Sequence, residues 1–599
     1  MRDRLATPVP FCLTAPMHGF RSRCMAFVLT TTCCSLFGST YFVAQHNPQA
    51  NDSGPGSAER PWNSISTAAK KVVAGDTVTI REGIYREFVL VKSGGTAQAP
   101  IRFEATPGAT VILTGADEIS RWRRCDEQRP IYEVAWPHRF NTWSRQMTHP
   151  DDEYHRVIGR CEQVAIQGYL IHQVLERDQL SSGSFVVDVA KQKLMLWDAG
   201  GRDPNKLLVE ASVRQEIMRV EGEYVQLQGL HFRCAANAAQ HGAVVLTGRH
   251  DQMTDCVVEA MNSCGATFQA EDLIIRRCTF RDNGQIGFGA SGAHNLLFTG
   301  CRVENNNTKG FDRGWEAGGN KIVLTRGAVL DQSQFLRNRG NGVWFDIGNE
   351  HCTVSRCLIA DNEDSGIFYE ISLGLQAHDN VILGNGFAAT PGAWGAQAGI
   401  SLSSSPDCVI ERNLIYGNRE GFNFREQTRT TPTIHDRQEH AVWNHDDTIC
   451  HNLIACNRDA QIWGWFDMHD SRHWPAEQGR GGVGSTQTAG ASVATDSKGQ
   501  PIGLTLQQLR LRFQDNFYFA EPDQRLFEWG VTWGRHQSYP TLRDFQTALG
   551  VDEDGQILEP RFANALGLDF RLDSEQMSQF KNSYPIGEVP GVLLGQFRE

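Results

Sequence analysis

Two short runs of the chain, GVWFD ending at Asp346 and GIFYE ending at Glu370, repeat one pattern, and each closes on a carboxylate. If both runs are strands, side chains alternate between faces, so Asp346 and Glu370 leave the same face of each copy. Placed on adjacent parallel strands, their backbones stand about 5 Å apart. Two carboxyl groups at about 5–5.5 Å suit a retaining glycosidic displacement; inverting pairs need roughly 6.5–9.5 Å. Two such acids also resist ionising together. One stays protonated as a proton donor while its partner is free to act as a nucleophile.

The repeat that must position them runs well beyond these two copies. CVVEAMN begins at Cys256, and related runs begin at Cys278, Cys301, Ser333, Cys357, Asn380, Asn413 and Asn452. The base period is about 23 residues, with some turns lengthened by insertions. From the second copy on, an Asn follows five residues after each start: Asn283, Asn306, Asn338, Asn362, Asn385, Asn418 and Asn457. This register reads as a ladder of stacked amides, at a turn where Asn tolerates a left-handed backbone. The cysteines of the first column fit an interior stack of free thiols, since parallel stacked side chains disfavour disulfide geometry. Short strands at this period with no helices between them imply an all-β right-handed parallel β-helix, a solenoid of stacked coils.

Aligning the coils assigns faces. Val343/Phe345, Ile367/Tyr369, Ile400/Leu402 and Phe422/Phe424 form an apolar inward column. Trp344/Asp346, Phe368/Glu370, Ser401/Ser403 and Asn423/Arg425 point out. Aromatics mixed with acids and hydrogen-bonding groups suit a sugar ring, with Trp344 and Phe368 as platforms. The plainer interpretation is a charged exterior with two incidental aromatics. GFDRGWEAGGNKI places Trp315, Glu316 and Lys321 one coil before Asp346, and Glu316 is a candidate for binding substrate. Inserted turns after Asn385 and Arg425 add Trp394, Glu426, His440, Trp443 and His445 as further pocket candidates. No Cys/His set has zinc spacing, there is no CxxC pair among the 16 cysteines, and no metal ligands are assigned.

The remaining segments frame this array. A net charge of −12 argues against a nucleic-acid partner. Residues 1–39 read as a leader: Arg21 and Arg23 precede a short apolar run from Cys24 to Gly38, which implies a secreted or periplasmic protein. No later segment is apolar enough to span a membrane. Residues 40–117 read as an entry cap, with a helix over Ile65 to Val73, and first coils. Residues 118–221 lose the period and read as an inserted antiparallel β-domain, sandwich-like, with a hairpin turn at Ala190-Lys191. Residues 222–470 form the main helix, and 471–599 a loop, late strands, a short helix from Thr541 to Leu549 and a closing segment. Glu477 to Ser492 reads as a long surface loop.

The entry block, with Asn51-Asp52, Pro55-Gly56, Gly75-Asp76 and Gly83-x-Tyr85, resembles the opening of secreted β-helix proteins, many of them carbohydrate-active. A β-helix interrupted by a β-sandwich, with Asp346 on one coil and Glu370 on the next, resembles glycoside hydrolase family 120, the β-xylosidases. The resemblance implies a retaining hydrolase of a β-linked sugar, with Asp346 as nucleophile, Glu370 as acid/base and no cofactor. Two other classes share the fold. A polysaccharide lyase or epimerase needs cationic or Ca²⁺ neutralisation of a uronate, to which Arg425 could contribute. A non-catalytic carbohydrate-binding β-helix or surface adhesin needs no acid pair in a pocket.

Overall fold

The computed structural model describes residues 38–140, 160–389, 397–426, 429–466, 510–530 and 536–580. Three sheets of 13 strands each run along the molecule, and each full coil adds one strand to each. The strands pair in parallel throughout, except where His536–Tyr539 closes one sheet antiparallel to Phe527–Gly530. Alternation puts one face of every strand inside, where Phe268, Phe280, Phe288, Phe298 and Phe335 pack from coil to coil.

Two polar columns run through this apolar interior. In one, Asn283, Asn306, Asn338, Asn362, Asn385 and Asn418 each pass a side-chain amide to the carboxamide oxygen of the next, at 2.9–3.0 Å, ending on Gln461 through Asn457. Each rung also accepts the backbone N–H of the Asn below it, as Asn362 does from Asn338 at 3.0 Å. The other column starts with Cys256, Cys278 and Cys301, whose thiols are free and buried, and continues through Ser333, Cys357, Asn380, Asn413 and Asn452. It reaches Asn516 and stops at the carboxylate of Asp552, 3.0 Å away. One expectation is corrected. The left-handed residue at each sharp bend is not the Asn but the residue before it, as in Arg337 (φ 52) and Asp361 (φ 58). The Asn keeps an ordinary backbone, and its side chain bonds the neighbouring coil.

Both ends of the solenoid are covered. The helix Ile65–Lys71 buries Ile65, Ala68 and Ala69 and is capped by Ser64; Glu87 accepts the N–H groups of Ile65 and Ser66. At the far end Leu542–Leu549 sets Phe545 flat on Phe527, 4.2 Å between ring centres. The insert forms a four-stranded and a five-stranded sheet, mostly antiparallel, around Trp122, Trp136, Phe185, Leu194 and Leu196. It begins with Ala116–Glu118 and ends with Val209–Ser212, and Met218–Val220 is already back in a long sheet. No helix among the described residues is long and apolar enough to cross a membrane. The expected leader and the loop from Glu477 to Ser492 lie outside the described residues.

The ladder should carry much of the stability. Asn362→Ala removes four buried hydrogen bonds and orphans the backbone N–H of Asn338. We expect destabilisation of roughly 3 kcal/mol, read as an earlier denaturant midpoint with an unchanged slope.

Candidate active site

The acids sit at the ends of Val343–Phe345 and Ile367–Glu370, which pair Val343 with Ile367, Trp344 with Phe368 and Phe345 with Tyr369. Continued by one residue, this register sets Asp346 beside Glu370. Ala398–Ser403 and Glu420–Glu426 follow in the same sheet, pairing Glu370 with Ser403 and Ser403 with Arg425. The outward face of this sheet thus carries the expected columns side by side.

The turns on either edge of that face are lengthened. On one edge residues 305–317 intervene before Gly318–Val323, pinned by Arg313 to Asp364 at 3.0 Å. On the other, a hairpin of Arg429–Pro432 and Glu439–Val442 leaves the coil of Arg425 and doubles back. Thr431 donates to the Ile371 carbonyl at 2.8 Å, and Ile434 N–H to Glu350 at 3.1 Å. The hairpin therefore lies against the turns that follow both acids. Enclosure is nearly complete: Asp346 is 7% exposed and Glu370 6%.

Each acid has its own cation. Lys321, one coil before, reaches Asp346 at 2.9 Å and Glu316 at 3.4 Å. Arg429, on the hairpin, reaches Glu370 at 2.8 Å. Burial, and then the neighbouring Glu370 charge, push the Asp346 carboxyl up to about 6 against the pull of Lys321. Burial also works against the Lys321 charge, but Asp346 and Glu316 outweigh it and hold that ammonium above its ordinary value. Burial lowers Arg425 to about 10, with Glu370 opposing the shift. Burial raises Glu420 to about 7 despite its 2.5 Å bond from Asn423.

The other candidates divide. Trp344 and Phe368 do leave the outer face, but they are not exposed platforms. They are 3% and 2% exposed, pack on each other at 5.7 Å, and Lys321 sits 4.2 Å over the indole. Large rings on a walled face are buried by the walls. Glu316 joins the site through Lys321, on a left-handed backbone (φ 55). Trp315 instead stacks on Phe311 and anchors its loop. Asn423 and Arg425 lie on the acid face, two coils past Glu370. Glu426 turns from that face and accepts the backbone and side-chain N–H groups of Asn444 at 2.9 and 2.7 Å, a structural tie. His440 bonds Asp436 at the hairpin tip, and His445 bonds Asp446 and stacks on Trp443, so their bonds are local. Trp394 lies outside the described residues. Arg429 carries no sequence signal, because it sits in an insertion 59 residues from Glu370.

Residues 241–395 match a family model described as the right handed beta helix region. Among curated proteins, an uncharacterized protein, YwoF of Bacillus subtilis (strain 168), is 35% identical over 91 residues, 15% of this chain and 19% of that one. The match thus spans about a fifth of that relative's length. A solved structure of XylC in complex with xylose is 16% identical and superposes with a TM-score of 0.62, covering 88% of this chain and 87% of that one. A mannuronic acid specific polysaccharide family 6 lyase from human gut microbiota gives 0.44 at 11% identity, covering 93% and 98%. The family model and the likeness to XylC, with the three long parallel sheets, establish the fold as a right-handed parallel β-helix.

Burial raises several carboxyls, among them Asp346 to about 6, Asp364 and Glu420 to about 7, and Asp251 to about 8. The folded chain holds protons there that the unfolded chain releases above about pH 4, so this stabilisation is full at low pH and fades as pH rises through the folded values. His138 and Lys309, both lowered by burial, oppose them, Lys309 chiefly above the interval because its folded value is about 8. We expect a higher thermal midpoint near pH 5.5 than near pH 7.5, measured by scanning calorimetry.

Proposed function

We propose that the protein is a retaining glycoside hydrolase of a β-linked sugar, with Asp346 as nucleophile and Glu370 as acid/base. The observation that carries the reaction class is the acid pair itself: in register on adjacent strands, enclosed, and each with its own cation; the division of roles between the two acids rests on the family 120 resemblance. Strand spacing sets the two backbones about 5 Å apart, and side chains leaving one face of adjacent strands side by side suit the carboxyl separation of about 5–5.5 Å that a retaining pair needs. Glu370 gives its proton to the glycosidic oxygen while an Asp346 oxygen bonds to the anomeric carbon and the leaving group departs. Water, deprotonated by Glu370, then displaces Asp346 and releases the sugar with its configuration kept. One Asp346 oxygen, Oδ2, is held by Lys321; the other, Oδ1, has no partner among the described residues and is free to attack.

A β-xyloside is the first substrate to try, given the family 120 resemblance and the likeness to a structure holding xylose. Export fits the apolar run near the N-terminus. The competing reading is a lyase or epimerase, which the convergence of Lys321, Arg425 and Arg429 on this face would suit by neutralising a uronate. The acids argue against it, since both would meet the uronate carboxylate.

Product analysis decides the matter. NMR of the first product from an aryl β-glycoside should show retained configuration; an unsaturated, ultraviolet-absorbing product would mark a lyase. Asp346→Asn and Glu370→Gln should each lower kcat/KM by roughly 10²–10⁴-fold, and wild-type rates in both would sink the assignment. The nucleophile must be ionised, so activity should rise with pH through about 6, where Asp346 gives up its proton. Activity that fell instead over that interval would reverse the two roles.

A further inference from the structure

Beyond the acids, the outward face changes character. Trp344 and Phe368 give way, one strand at a time, to Ser401 and then Asn423; Asp346 and Glu370 give way to Ser403 and then Arg425. Ser401 and Ser403 are fully buried and Asn423 is 2% exposed. Yet Ser401 Oγ, Ser403 Oγ and Asn423 Oδ1 have no hydrogen-bond partner among the described residues. A buried polar atom left unpaired is costly, and three in one strip call for an explanation outside the chain's own bonding.

The order of the acids along the axis gives that strip a role. If Asp346 attacks the anomeric carbon and Glu370, one strand on, protonates the glycosidic oxygen, the leaving group lies on the far side of Glu370. That is over Ser401, Ser403 and Asn423. We propose that this strip is the leaving-group subsite, and that what it takes is a second sugar and not an apolar aglycone. The inference rests on the glycosidase reading above. A pyranose ring spans about one strand spacing, about 5 Å, so a chain laid along the axis sets its next ring on Ser403 and Asn423. Hydroxyls on that ring supply the missing donors and acceptors. An aryl group supplies none. The strip is at least as enclosed as the acids, so a disaccharide that reaches Glu370 must find the next strand uncovered as well.

The test is the Ser401→Ala/Ser403→Ala double variant against matched substrates: xylobiose with para-nitrophenyl β-xyloside, and cellobiose with para-nitrophenyl β-glucoside. We expect kcat/KM for the disaccharide to fall at least about tenfold further than for its aryl partner, the scale of a lost hydrogen-bonded contact. Transglycosylation onto added free sugar, which must enter the same subsite, should fall in parallel. The sugar-free variant should melt no lower than wild type, since it loses hydroxyls that bond nothing in the protein. Equal losses on both substrates, or a lowered melting temperature, would overturn the subsite and leave the acid pair standing. An unsaturated product in place of a hydrolysed one would strike the glycosidase reading itself, and the subsite with it.

Discussion

Everything in this molecule depends on the stacking register of the coils. A parallel β-helix advances by one strand spacing per turn, so residues one period apart are neighbours at about 5 Å whatever lies between them. The Asn columns enforce that register from inside. Each rung bonds the amide of the next and the backbone of the coil behind, so slipping one coil would break several buried bonds at once. The acids use this precision. Their spacing is a property of the sheet, not of a loop, and the turn between them could change without moving either.

The charge balance at the site follows from enclosure. Two carboxylates in register would not both ionise in a dry cleft without nearby cations. Lys321 comes from the coil before Asp346, and Arg429 from a hairpin folded back from two coils past Glu370. One cation is therefore fixed by the solenoid, and the other by an element that could move relative to it. On the glycosidase reading proposed above, the more rigid contact falls on the acid that would bond to carbon, and the more adaptable one on the acid that would exchange protons with water.

The parts of this arrangement written in the repeat were legible in the sequence. The period, the inward column, the free thiols and the pairing of Asp346 with Glu370 all follow from counting along the chain. What lies in the insertions was not. Arg429 and the hairpin carry no periodic signal, and the fate of Trp344 and Phe368 depended on walls that periodicity cannot see. Asn516 was hidden by the 64 residues that separate it from Asn452, although its side chain continues the column without a break. The Asn rungs were recognised for the right contact but the wrong backbone, because the strained residue is the one preceding the rung, and its identity varies between Arg, Asp, Gly and others.

The column that ends at Asp552 has a direction. From Asn380 on, each side-chain amide donates to the side-chain oxygen of the later coil and turns its own oxygen toward the earlier one, so the carboxamide-to-carboxamide line runs one way and its donor end emerges at the C-terminal side. There the final rung is a carboxylate, which meets that polarity as an acid meets the positive end of an α-helix. When ionised it accepts from Asn516 and Tyr518 and has nothing to donate onward. A further coil could not join the line on the same terms. This column thus closes on a chain terminator: a rung that accepts from the amide before it and passes no hydrogen bond on.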